Sequence, residues 1–112
     1  MQITDHRDGG VTILSLEGRL DHAGAGIFQE RALQVIKDGA RQLIVDFGGT
    51  SFIASMGIRA LIIPTQEVSR QGGKLVLTGL NAELLRFFEI SGMKDMFTVH
   101  DSIDAAKAAL AA

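Results

Sequence analysis

Hydrophobic and polar positions change rhythm several times along this chain, and each rhythm predicts an element. Val11 to Glu17 alternates, with Val11, Ile13 and Ser15 on one face and Thr12, Leu14 and Leu16 on the other. Both faces are partly apolar, which predicts a strand covered on both sides. Gln2 to Arg7 alternates more weakly. Between them, Asp8-Gly9-Gly10 is a hairpin turn signal, because glycine adopts positive φ without strain. Residues 2–18 therefore read as a β-hairpin. From Ala25 to Lys37 the apolar residues Phe28, Ala32, Leu33, Val35 and Ile36 fall on a helical face, and Gly39 is placed to stop that helix. Gln42 to Phe47 is short, continuous and β-branched in its middle, as suits a strand buried between helices.

Gly48 and Gly49 follow, and there the chain is expected to turn sharply. Ser55 stands where an N-cap residue would, at the start of a second helix running to about Gln71. Ile58, Leu61, Ile62, Thr65 and Val68 share one face of it. Pro64 removes an interior hydrogen bond, at a cost of about 3 kcal/mol. The periodicity continues past it, which predicts one kinked helix rather than two. Lys74 to Thr78 is another short buried strand. Asn81 caps a third helix that buries Leu84, Leu85 and Phe87 or Phe88 and stops near Gly92. Met96 to Val99 is the last expected strand. Asp101 with Asp104 resembles a capping box for a final helix to Ala112, with Ile103, Ala106 and Leu110 facing in. Strands separated by single helices imply parallel crossovers. The expectation is an α/β fold in one domain, residues 1–112. Its mixed sheet has four to five strands, an N-terminal hairpin followed by parallel crossovers, packed with about four helices.

Composition narrows the function. Among 112 residues there is no cysteine, which excludes disulfides, thiolate metal sites and a cysteine nucleophile and fits a reducing cytoplasm, the expected location. The formal net charge is −2 with both signs scattered, and Trp and Tyr are absent. Without a basic stripe or stacking platforms, nucleic acid is not an expected partner. No apolar run approaches the roughly 20 residues that span a bilayer, so membrane insertion is not expected either. His6, His22 and His100 lie in separate segments without paired ligand spacing, and no metal or cofactor is expected. Gly48-Gly49-Thr50 matches no phosphate-binding loop. Ser55 lies in Ile-Ala-Ser-Met-Gly, which lacks the first glycine of a nucleophile elbow. A hydrolase would need His22, the one histidine expected at that end of the sheet, and an acid behind it. The remaining readings of Ser55 are a capping serine or a docking spot, since Phe52, Ile53, Met56 and Ile58 make its surroundings apolar. Asp21 and Asp46 flank this region.

Four stretches, taken together, carry a resemblance. Gly18-Arg19-Leu20-Asp21, Val45-Asp46-Phe47, Thr50-Ser51-Phe52-Ile53-Ala54-Ser55-Met56-Gly57-Ile58 and Gly73-Lys74-Leu75-Val76-Leu77 resemble, in that order, the STAS domain. The branch they are most similar to is that of the bacterial anti-sigma factor antagonists. The resemblance runs essentially end to end, through Ile90-Ser91-Gly92-Met93 and the alanine-rich last helix. Each motif alone is weak; in order and at compatible spacing they are specific for the fold. The resemblance implies a STAS-like sheet and a non-enzymatic regulator that binds an anti-sigma factor which is also a serine kinase. That partner would phosphorylate Ser55, which matches the first serine of the family's Asp-Ser-Ser-Gly motif. Asp21 matches an acidic residue of the same binding surface. The implied surface comprises Asp21, His22, Ser51, Phe52, Ile53, Ala54, Met56, Gly57, Ile58 and Arg59. Two positions depart from the family: Ala54 stands where an aspartate is usual, and Met56 where a second serine or threonine is. The missing acid leaves a second reading open, a STAS scaffold or subunit of a signalling or transporter complex that is never phosphorylated. Self-association also stays open.

Overall fold

The computed structural model describes residues 1–111; Ala112, expected to end the last helix, lies outside the described residues. The hairpin forms as its alternation predicts. Strand β1 (Gln2–Asp8) pairs antiparallel with β2 (Val11–Leu20) through Gly9 and Gly10, at φ of 59° and 89°. Then follow α1 (His22–Lys37), β3 (Gln42–Ile53), α2 (Ser55–Arg70), β4 (Lys74–Thr78) and α3 (Ala82–Ile90). A single 3₁₀ turn (Lys94–Met96), β5 (Val99–His100) and α4 (Ile103–Ala111) complete the order. The sheet runs β1-β2-β3-β4-β5, and every pair after the hairpin is parallel.

The two-faced pattern of β2 decides where the helices go. Leu14 and Leu16 join Leu43, Val45, Phe47 and Leu77 on one face, under Phe28, Ile36, Ile58, Leu61 and Phe88 of α1, α2 and α3. Val11 and Ile13 join Ile44 and Val76 on the other, under Ala106 and Leu110 of α4. Phe88 meets Phe47 and Phe97 edge to face, with ring centroids 6.3 and 5.9 Å apart.

Five local expectations are corrected. First, Gly48 and Gly49 do not turn the chain; neither has positive φ, and β3 continues to Ile53. The pairing steps from Ser15↔Asp46 to Glu17↔Gly49, and again from Gly18↔Thr50 to Arg19↔Phe52, so β3 inserts an extra residue twice. Gly49 serves close approach instead: a Cβ there would sit 2.7 Å from Glu17 Cγ. Second, α1 starts at His22 rather than Ala25, because Asp21 is its N-cap. Third, Ser55 is not a cap. The N-cap of α2 is Ala54, which has no side-chain acceptor, and Ser55 is the first helical residue. Fourth, Met96 ends the 3₁₀ turn, and the last strand is Val99–His100. Fifth, Asp101 and Asp104 do not form the cap of α4; the Ser102 Oγ accepts the Ala105 N–H at 3.1 Å in that role. Helix α2 is continuous through the buried Pro64. Ile58, Leu61 and Val68 are buried on its inner face, with Ile62 and Thr65 half-buried.

Candidate functional site

The ends of β2 and β3 fix where α2 starts. The Ala54 N–H donates to the Leu20 carbonyl at 3.1 Å, and the N–H groups of Gly57 and Ile58 turn back to the Ala54 carbonyl at 2.9 and 3.2 Å. Gly57 lets the first turn of α2 lie directly on β2: a Cβ there would sit 2.4 Å from the Leu20 oxygen and 2.8 Å from its Cγ. This seating leaves Ser55 exposed at the first helical position, and its hydroxyl makes no hydrogen bond among the described residues. Phe52 and Met56 flank it, 38% and 44% exposed. Large apolar side chains left this open beside a free hydroxyl form a surface suited to contact with another molecule.

Charged groups tie this surface together. The Arg19 guanidinium lies 4.2 Å over the Phe52 ring, and its Nε is 3.8 Å from Asp21 Oδ2. Asp21 Oδ1 accepts the Gly24 N–H at 3.0 Å. That backbone bond, with Arg19 nearby, holds the Asp21 carboxyl below its ordinary value. The Ser51 Oγ donates to the Gly18 carbonyl at 3.3 Å, pinning β3 to β2 beside Phe52. Two grooves open on either side of Ser55. One, about 350 Å³, lies between the end of β3 and α3, with Phe52, Leu84, Phe87 and Ile90 on its walls. The other, about 330 Å³, lies between α1 and α2, with His22, Ala25, Met56, Arg59 and Ile63 on its walls.

The expected surface is thus assembled in part. Ser51, Phe52, Ala54 and Ser55 sit together at the end of β3. Asp21 joins them through Arg19, and His22, Met56 and Arg59 share the second groove. Gly57 and Ile58, expected on that surface, are buried instead, Ile58 at 0% exposed, while Ile53, only 3% exposed, borders the first groove from beneath. Ile53 pairs with Leu20, and Ile58 belongs to the inner face of α2, so both hold the surface from below. Arg19 was not expected at the site, although it lies within the Gly18-Arg19-Leu20-Asp21 stretch that carries the resemblance. Ile90, 72% exposed, was also missed, although it lies off the inward face that Leu84 and Phe88 define. His22 makes no hydrogen bond to Ser55 among the described residues, so no nucleophile–base pair is formed. Among the described residues no three His, Asp or Glu side chains come together as metal ligands, and no helix is long and apolar enough to cross a membrane.

The fold has counterparts in known proteins. The sequence pattern of the STAS domain matches residues 2–106. BtrV of Bordetella bronchiseptica, whose name marks it as a candidate anti-sigma factor antagonist, is 30% identical over 97% of this chain and 94% of its own length. An anti-sigma factor antagonist from Mycobacterium paratuberculosis has the same fold, with a TM-score of 0.89 at 19% identity over 99% of this chain and 94% of that one. The anti-sigma factor antagonist SpoIIAA in its unphosphorylated form superposes with a TM-score of 0.81 at 18% identity, covering 99% of this chain and 98% of that one. The phosphorylated form of the Bacillus SpoIIAA gives 0.72 at 19% identity, covering 96% and 99%.

Proposed function

The chain belongs to the STAS domain family, and from that premise we propose that it is an anti-sigma factor antagonist, a binding switch set by phosphorylation of Ser55. Its family is one of regulatory binding domains, not of enzymes. The partner in this reading is a cytoplasmic anti-sigma factor that is also a serine kinase. The observation that carries the reading is the exposed, unbonded Ser55 hydroxyl between two apolar grooves, on the first turn of α2. Phosphorylation adds about −1.5 to −2 charges and three acceptor oxygens. A helix N-terminus accommodates such an anion, because its free amides and dipole favour negative charge. The fold therefore stays as it is. Binding does not, because a dianion then stands among Phe52, Met56 and the groove walls. Desolvating it against apolar partner atoms costs several kcal/mol unless a cation meets it. About 2.7 kcal/mol already weakens binding a hundredfold. SpoIIAA, a chain of the same fold, is known in both phosphorylated and unphosphorylated forms, which supports the reading.

Ala54 favours a second reading. It caps α2 without any side-chain hydrogen bond and brings no acid beside Ser55. In that reading the same surface binds constitutively, as a scaffold or subunit of a larger complex. Incubation with ATP and the host's anti-sigma kinases, read by intact mass, separates the two. One added phosphate on wild type and none on Ser55→Ala supports the switch. Wild type left unmodified by every such kinase supports the scaffold.

A further inference from the structure

We propose that the free edge of β1 is a self-association surface, on which a second copy of this chain pairs strand to strand about a two-fold axis at His6. Strand β1 is the outermost strand of the sheet and has seven residues, six of them exposed. Only β2 pairs with it among the described residues, and apart from the Ile3 carbonyl, which Arg31 reaches at 3.5 Å, its outer N–H and C=O groups are open to another strand. Ion pairs link the strand to a helix on each face of the sheet: Asp5 pairs with Arg31 of α1 at 2.5 Å, and Asp8 with Lys107 of α4.

The charges along the edge select the occupant and its register. A two-fold axis perpendicular to the sheet keeps each face with its like. Ile3, Asp5 and Arg7 of one copy then lie on the same face of the joined sheet as Ile3, Asp5 and Arg7 of the other, the α1 side. An axis at Asp5 would set Asp5 against itself, and an axis at Arg7 would set Arg7 against itself. An axis at Thr4 would place the Asp5 carboxylate against Ile3. Only the axis at His6 sets Asp5 opposite Arg7 of the second copy, and Arg7 opposite its Asp5, with no like charges opposed. Opposite charges directly across an antiparallel pair favour it, and like charges oppose it. Arg7 has no ion pair among the described residues, so it is available for this contact, whereas Asp5 would be shared between Arg31 and the incoming Arg7. The groove between β1 and α1 runs along the same edge and has mixed walls, Met1, Ile3 and Ile27 beside Glu30, Arg31 and Gln34; Ile27 is 50% exposed there. Strand β2 separates this edge from β3 and its Phe52–Ser55 end, so the pairing is independent of the switch at Ser55.

Sedimentation velocity on the whole chain over a concentration series, paired with hydrogen exchange of the β1 amides, tests the pairing. Wild type is expected to show a monomer–dimer equilibrium, with the outward-facing amides of Thr4–Asp8 gaining protection as concentration rises. Arg7→Asp is expected to weaken it about tenfold or more, since both cross-strand pairs then repel; Arg7→Lys is expected to keep it. An equimolar mixture of Arg7→Asp with Asp5→Lys chains is expected to associate although neither does alone, because each cross-strand pair is again opposite in sign. If Asp5→Lys fails to fold for want of the Arg31 pair, the contrast between Arg7→Asp and Arg7→Lys still decides. Wild type that stays monomeric to millimolar concentration overturns the proposal. So does a dimer that Arg7→Asp leaves as tight as before.

Discussion

Gly57→Ala is expected to destabilise the protein and to disturb the Ser55 surface, although alanine is the better helix former. The added Cβ would sit 2.4 Å from the Leu20 carbonyl oxygen, where contacts shorter than 3.0 Å do not occur, and 2.8 Å from Leu20 Cγ. The first obstacle is backbone, so it cannot move aside as a flexible side chain would. The first turn of α2 has to lift off β2. Lifting it stretches the Ala54 N–H bond to Leu20, now 3.1 Å. Overpacking costs about 1–3 kcal/mol, and the weakened hydrogen bond about 0.5–1.5 kcal/mol. Helix propensity returns about 1 kcal/mol. The net expectation is a loss of about 1–3 kcal/mol, which lowers Tm by roughly 4–12 °C for a chain of this size. Gly26→Ala is the control. It lies in α1 with nothing within 4 Å of the added Cβ, and is expected to stabilise by about 0.5–1 kcal/mol. Urea denaturation gives both numbers, and amide spectra report whether Leu20 and residues 52–58 move. A Gly57→Ala chain at least as stable as wild type, with those amides unshifted, would refute the packing argument.

Three further outcomes are expected. Ser102→Ala should cost about 1 kcal/mol of stability by denaturant melt, while Asp101→Ala should stay within about 0.5 kcal/mol, because the hydroxyl and not the acid caps α4. Phe88→Ala should cost about 3–5 kcal/mol, since the ring is fully buried between Phe47 and Phe97. That is a large share of the roughly 5–15 kcal/mol holding such a fold, and a calorimetric scan will show it. The Asp21 carboxyl is held below its ordinary 3.8, chiefly by the Gly24 amide. The stabilisation is therefore complete above that value and is lost as pH falls through the lowered one. The protection of the Gly24 amide, taken relative to its intrinsic exchange rate at each pH, should fall below about pH 4 in wild type, and that acid-driven loss should be absent in Asp21→Asn.

The strand and helix rhythm was legible wherever one rule acted alone. Val11 to Leu16 announced both covered faces of the sheet, and Asn81 announced the start of α3, where its Oδ1 takes the Leu84 N–H at 2.8 Å. It failed where tertiary contact reassigned a residue's task. Gly48-Gly49 has the composition of a turn, but Gly49 is there because β3 passes so close to Glu17 and Leu16. Ser55 has the chemistry of a cap, but the Leu20–Ala54 bond places the cap one residue earlier. Asp101 and Asp104 bracket the residue that does cap, Ser102. At the candidate site, the family motif pointed to Ser55, Phe52 and Met56, which the structure leaves exposed side by side. It could not say that Ile53 and Ile58 point inward, because a continuous apolar run does not reveal which side chain the core takes. Arg19 was hidden for a different reason: its stacking on Phe52 depends on the second register shift in β3, which no local pattern encodes.

Chains carrying phosphoserine at position 55, installed during synthesis, provide the central test. Their binding to the purified anti-sigma kinase should be compared with that of unmodified chains by calorimetry, with amide spectra of both recorded alongside. The account predicts unchanged spectra away from the first turn of α2 and a hundredfold or greater loss of affinity. Equal affinity of the two forms, or a lost affinity accompanied by unfolding, would contradict it.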